Sequence, residues 1–220
     1  MTTVQKILIF KFLILCNLTV FCQDCLVDSS TLAIDSAIIE GEKYFAIYRA
    51  DNCFYIQNES KKVVFKSNEL SMFFEFLDFN YDGHKDLIIS YFGNNPIKDL
   101  IVYDTKNKEF KPIENFSLYP EPKQILESKY YFSYHRSGCA DSNWDSDLFI
   151  IENFRATKLG TISGRECEDS EEEKGIFVYR TNESKSILLE KFPVESVEKF
   201  KNGKWDFIEE YWTKNFQKFE

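Results

Sequence analysis

Glycine and proline are scarce in this chain, at 8 and 5 of 220 residues, and histidine is almost absent, at 2. The low glycine and proline content excludes collagen-like and low-complexity readings. Two histidines, His84 and His135, leave little material for acid–base catalysis, and no G-x-S-x-G, H-E-x-x-H or glycine-rich phosphate loop occurs. Positive charge is also short: 27 Lys and Arg face 36 Asp and Glu, a net charge of −9. Such a surface repels phosphate, which argues against nucleic acid as a partner; it would attract a cationic protein, and the plainer reading is that the charge keeps the protein soluble. The expectation is a protein that is not an enzyme.

What is present is apolar and aromatic. Hydrophobic residues make up 44% of the chain, with 22 Phe and 12 Tyr, enough for a packed core and too much for a disordered chain. The first apolar run has another use. In "MTTVQKILIFKFLILCNLTVFCQDC", Lys6 precedes a stretch from Ile7 to Phe21 that only Lys11 and Asn17 interrupt. This reads as a secretory signal peptide over residues 1–22, with Val20 and Cys22 at the −3 and −1 positions. Residues 23–220 then form a single β-rich domain, exported to the periplasm or cell envelope, or secreted. A membrane anchor is the alternative, and the short run with Lys11 inside it argues against it. A lipid anchor on Cys22 or Cys25 lacks a small residue before it, since Phe21 and Asp24 stand there. Cleavage changes the net charge from −9 to −11, because Lys6 and Lys11 leave and no acid does.

Export gives the cysteines a meaning. Cys25, Cys53, Cys139 and Cys167 remain, an even number in an oxidising compartment, which favours disulfides. Three pairings exist; Cys25–Cys53 and Cys139–Cys167 join sequence neighbours. A zinc site lacks C-x-x-C spacing among these four and has no nearby histidines. Cys139 as a nucleophile beside His135 is the enzymatic alternative, and Cys167 makes a disulfide the better reading.

Short apolar runs with β-branched and aromatic residues follow one another: 31–39, 43–50, 53–57, 62–66, 72–79, 86–92, 99–104, 129–135, 147–154, 156–162, 175–181 and 186–192. Polar breaks such as 58–60 and 105–108 read as hairpin turns. The pattern predicts an all-β fold of antiparallel sheets in an incomplete propeller-like or sandwich arrangement. Only "WDFIEEYWTKNFQ" (205–217) has a helical stripe, so a short C-terminal helix is expected. The charged segment 164–175 reads as a solvated loop.

Carboxylates gather in "DFNYDGHKDLIISYF" (78–92). Like charges at that density repel unless a cation sits among them. Calcium takes six to eight oxygens, and a loop offering them at positions 1, 3 and 5, with glycine at 6 and a carbonyl at 7, wraps one ion. Asp78, Asn80, Asp82, Gly83 and the main-chain oxygen of His84 match, and Asp86 adds a carboxylate at position 9. Ile89 at position 12 excludes an EF-hand, and the flanks read as strands. The predicted cofactor is calcium in a structural site, with magnesium less suited; a self-capped Asp/Asn turn is the alternative. A shorter echo, "DSNWDSDLFII" (141–151), places Asp141, Asn143, Asp145 and Asp147 before another apolar run without the glycine, a candidate for a second, weaker cation site.

The loop "FLDFNYDGHKDLIISYF" resembles the aspartate-rich loops of FG-GAP and VCBS-type β-repeat proteins. With "DLIVYDTKNKEFKP" (99–112) and "YHRSGCADSNWDSDLFII" (134–151), the chain also resembles a family of exported bacterial proteins. That family includes the immunity protein for a lysozyme-like effector delivered by a type IV secretion system. The resemblance covers about residues 70–170 by eye. It implies a calcium-bound all-β architecture, Asp78, Asn80, Asp82 and Asp86 as ligands, and inhibition of a peptidoglycan hydrolase by direct binding. No inhibitory loop of the family matches here, so the partner-binding residues stay open; His135, Arg136 and Ser137 are contact candidates from the sequence itself. The rival reading is a calcium-stabilised surface or adhesion module that binds glycan or another envelope protein without inhibiting anything.

Overall fold

The computed structural model describes residues 29–67, 73–126, 128–182 and 185–220. The expected signal peptide and Cys25 lie outside the described residues. Three antiparallel sheets follow one another along the chain. The first is a meander of β1 (Thr31–Ile39), β2 (Glu42–Arg49), β3 (Phe54–Asn58) and β4 (Val63–Ser67). The second is a meander of β5 (Phe73–Leu77), β6 (Asp86–Tyr91), β7 (Ile97–Asp104) and β8 (Glu109–Pro112). Two consecutive four-stranded up-and-down sheets are the repeating unit of propeller blades.

The third sheet is larger. It contains β9 (Lys123–Gln124), β10 (Tyr130–Phe132), β12 (Asn143–Glu152), β13 (Arg155–Arg165), β14 (Gly175–Asn182) and β15 (Lys185–Phe192). A further strand, β11 (His135–Gly138), also pairs with β12. Thus β10 lies against residues 148–150 and β11 against residues 143–145, in line along one side of β12. The helix α1 (Lys204–Asn215) closes the chain. The fold is all-β, propeller-like and incomplete, as the sequence predicts.

Three cores explain the order of layers. One joins the first and second sheets through Tyr44, Phe54 and Ile56 with Leu87, Ile89 and Tyr103. Another joins the second and third through Ile88 and Leu100 with Tyr131 and Phe149. The last joins the third sheet to α1 through Phe132, Leu148 and Ile162 with Phe207, Ile208 and Trp212. The second sheet is therefore covered on both faces. That is why "LII" in β6 is a continuous apolar run: Leu87 and Ile89 point to one core, Ile88 to the other. The same holds in β12, where Leu148 faces α1 and Phe149 faces the second sheet.

On α1, Phe207, Ile208, Tyr211 and Trp212 fall on one stripe and are buried. Trp212 Nε1 donates to Ser146 Oγ at 2.9 Å, so the one polar atom of the largest core side chain has a partner in β12. Gly160 and Gly164 sit in β13 because side chains press against them. A Cβ on Gly164 would lie 2.2 Å from the Trp144 ring, and one on Gly160 2.5 Å from the Phe219 ring. The segments 109–112, 123–124 and 135–138 are too short or too polar to stand out in the sequence; they are strands because a longer neighbour supplies the ladder.

Candidate metal centre and braced loop

The acidic loop connects β5 to β6, at the end of the doubly covered second sheet. Two residues in the left-handed region fold it, Tyr81 at φ 58° and Gly83 at φ 88°. Glycine meets the second requirement without cost; Tyr81 meets the first against its preference. Gly83 N donates to Asp78 Oδ2 at 3.0 Å, which closes the loop across its mouth. Asp82 N donates to Asn80 Oδ1 and His84 N to Asp82 Oδ1. The His84 ring lies 3.3 Å from the same Asp82 oxygen.

Asp86 holds the base of the loop. It is 1% exposed, and its two oxygens accept from Phe79 N and from Tyr103 N in the neighbouring strand. Burial, opposed by the Tyr103 amide and reinforced by the negative charge of Asp82 and Asp78, raises its pKa to about 7. Among the described residues no group of three His, Cys, Asp or Glu side chains is arranged to hold a metal ion; the carboxylate oxygens accept from amides of the loop and from Tyr103 N. One atom does not. Asp78 Oδ1 is buried and has no hydrogen-bond partner. A buried carboxylate oxygen without a donor is costly. The donor set of Asp78, Asn80 and Asp82 side chains and the His84 carbonyl is all oxygen, which fits a hard cation such as calcium.

The second acidic segment is built differently. Asn143, Asp145 and Asp147 lie in β12, and Asp141 ends a short 3₁₀ turn at Cys139–Asp141. Their oxygens have protein donors. Asp141 binds Lys204 Nζ at 2.8 Å and the Tyr134 hydroxyl. Asn143 Oδ1 accepts from the amides of Glu166 and Cys167. Asp145 meets Arg165 at 2.7 Å and Ser163 at 2.5 Å, and Asp147 meets Lys158 at 2.8 Å and Thr161 at 2.5 Å. The groups that the sequence offered to a second cation are thus held by cationic side chains, hydroxyls and amides far away in the chain.

Cys139 and Cys167 form a disulfide across this region, the pairing expected from sequence. Cys53 is half-buried just ahead of β3; its expected partner, Cys25, lies outside the described residues. Beside the disulfide, Gly138, Cys139, Ala140 and Asp141 all have positive φ, at 128°, 53°, 51° and 81°. Three successive non-glycine residues in that region are strained, and their surroundings must hold them there.

The braces are visible. Asn95, from the β6–β7 turn, accepts from Arg136 N at 2.8 Å and donates to Arg136 O at 3.2 Å. Arg165 donates to Ser137 Oγ, to Trp144 O and to Gly164 O. Lys204 on α1 also donates to Asp141 O. His135 lies 3.7 Å from Asp145 through Nε2, and its buried Nδ1 has no partner. The Arg136 side chain is 61% exposed. None of these partners was legible in sequence, since Asn95 is 41 positions from Arg136 and Lys204 is 63 from Asp141.

The architecture is that of a disulfide-containing all-β protein. No described helix is long and apolar enough to cross a membrane. No protein-family model matches the chain. No curated protein matches it either. Among solved structures it is similar to one titled "Structure of a Xanthomonas Type IV Secretion System related protein". That match has 12% identity and a TM-score of 0.44, and covers 71% of this chain and 93% of the other. It is also similar to "Structure of Dos1 propeller", at 10% identity and a TM-score of 0.26, over 72% of this chain and 46% of the other.

Proposed function

We propose that this is an exported calcium-binding protein whose braced loop binds another protein and blocks a lysozyme-like peptidoglycan hydrolase. The observation that carries the reading is the loop from Arg136 to Asp141. It is exposed yet held in an unfavourable conformation by a disulfide, the Asn95 amide, Arg165 and Lys204. A loop ordered before binding loses little entropy on association, and this favours tight docking into a concave site. Phe92 stands 82% exposed at the head of the turn that carries Asn95, so a bare aromatic ring and a guanidinium share this end of the molecule. Exposed Phe and Arg on rigid supports are the residue types of interface hot spots.

Charge fits the same partner at two ranges. The acidic chain attracts a cationic hydrolase at a distance. Arg136 then meets the carboxylate pair that such hydrolases keep in their cleft. Calcium is the structural part of the reading. It would occupy the 78–86 loop through Asp78, Asn80, Asp82 and the His84 carbonyl, with Asp86 anchoring the base, and the buried, partnerless Asp78 Oδ1 supports it. The ion supplies positive charge that offsets the clustered carboxylates.

The test is a lysis assay with lysozyme-type hydrolases on purified peptidoglycan, with and without the protein. Inhibition is expected from the wild type and is expected to fall at least tenfold in Arg136→Glu with thermal stability unchanged. Absence of both inhibition and binding across this enzyme class would remove the proposal and leave a surface-binding module.

A further inference from the structure

A groove unrelated to the braced loop lies at the opposite end of β6. It runs between the acidic loop and the side chains of Gln124, Leu126 and Ser128. Two adjoining cavities of about 710 and 480 Å³ form it, and both are lined by Tyr81, Gln124 and Leu126. Tyr81 is 73% exposed and Leu126 83% exposed, so an aromatic and an aliphatic side chain stand bare on the two walls. Tyr131 forms part of the floor, stacked on Phe79 at 5.3 Å with the rings 9° from parallel.

We infer that this groove binds a neutral glycan that carries acetamido groups. A pyranose ring has an apolar C–H face and a polar edge, and it needs an aromatic platform with hydrogen-bonding groups beside it. Tyr81 is such a platform. Its backbone is fixed in the left-handed region by the loop's own bonds, so the ring is presented on a rigid support. Gln124 is also fixed: its Nε2 donates to Ser128 O at 2.9 Å, which orients the amide and leaves Oε1 to accept from a ligand. An acetamido group suits this pairing, its N–H toward Gln124 and its methyl toward Leu126.

The charges at the rim favour a neutral ligand. Lys129 is paired with Glu152 at 2.8 Å and Lys123 with Glu209 at 3.8 Å, which leaves Lys98 as the third cation, at the far end. A phosphate-rich ligand would meet carboxylates beside those lysines and the acidic loop behind Tyr81. A wholly apolar ligand would strip water from Gln124 Oε1 without replacing its hydrogen bond.

This inference uses none of the residues of the braced loop, although Asn80 and Asp78, which line the groove, belong to the proposed calcium loop. The probe is chitotetraose, titrated calorimetrically into the full mature protein in calcium, with maltotetraose and an oligoglutamate peptide as comparators. Tyr81→Gly is the decisive variant: glycine accepts φ 58° freely, so the loop keeps its shape and only the ring is lost. Saturable binding of chitotetraose is expected, weakened at least tenfold in Tyr81→Gly at unchanged melting temperature, and unchanged in Arg136→Ala. No saturable binding of chitotetraose, equal binding by Tyr81→Gly, or preference for oligoglutamate overturns it. Loss of inhibition with glycan binding intact, or the converse, separates the two proposals.

Discussion

Asp78→Asn alters one carboxylate oxygen to an amide nitrogen and removes one negative charge, with almost no change of shape. The amide oxygen can still accept from Gly83 N, the bond that closes the loop. The other position is the one that matters, because Asp78 Oδ1 is buried with no partner. Without calcium, the wild type carries that unsatisfied oxygen, a liability of about 1–3 kcal/mol, together with repulsion from Asp82 and Asp86. The variant loses the repulsion, so in chelator it is expected to melt at or above the wild-type temperature. With calcium the order reverses. A ligand at about 100 times its dissociation constant adds roughly 2.7 kcal/mol to the wild type. For a chain of this size that is about 5–11 °C in melting temperature. Asp78→Asn is expected to gain little of it. Differential scanning calorimetry of both proteins, in chelator and in excess calcium, reads all four values. A wild type that gains no stability from calcium refutes the metal assignment; a variant that gains as much as the wild type refutes the role of Asp78. A self-capped turn predicts no crossing at all.

Other consequences of the fold are as direct. Trp212→Ala should cost about 3–5 kcal/mol, for the lost ring and the cavity left against β12, and should leave Ser146 without its donor; denaturant midpoints measure it. Replacing Cys139 and Cys167 together by Ser opens a link spanning 28 positions, an expected loss of about 3–4 kcal/mol in the loop-entropy model. Hydrolase binding should fall in the same variant even at temperatures where it stays folded, which isothermal titration would show. Gly164→Ala should destabilise by about 1–3 kcal/mol because its Cβ would overlap the Trp144 ring, read as a lower melting temperature.

The strand plan was written in composition and spacing. The run at 31–39 is β1 from end to end, and those at 86–92, 175–181 and 186–192 match β6, β14 and β15 to within a residue. The helix at 205–217 sits where its stripe placed it, over Lys204–Asn215. The disulfide between Cys139 and Cys167 was legible once export was inferred, because few thiols remained to choose from. The acidic echo at 141–147 lies in a different setting. Its spacing copies a cation loop, yet the chain runs there as a strand, and Lys204, Arg165 and Lys158 reach it from other elements. A local pattern carries no information about which distant side chain arrives first.

The sequence by itself determined the fold class, the order of strands and the acidic loop, because alternation, turn chemistry and ligand spacing are local properties of the chain. That β6 is buried on both faces was not legible, since β15 carries a similar run, Ile187, Leu188 and Leu189, with all three exposed. Only the tertiary structure decided what covers those faces, through packing of the first and third sheets on the second. It alone tied Asn95 to Arg136, held four residues at positive φ beside the disulfide, and set Tyr81 across from Leu126 to form a groove. Those relations depend on contacts between residues far apart in sequence, and a chain fixes such contacts only when its layers pack.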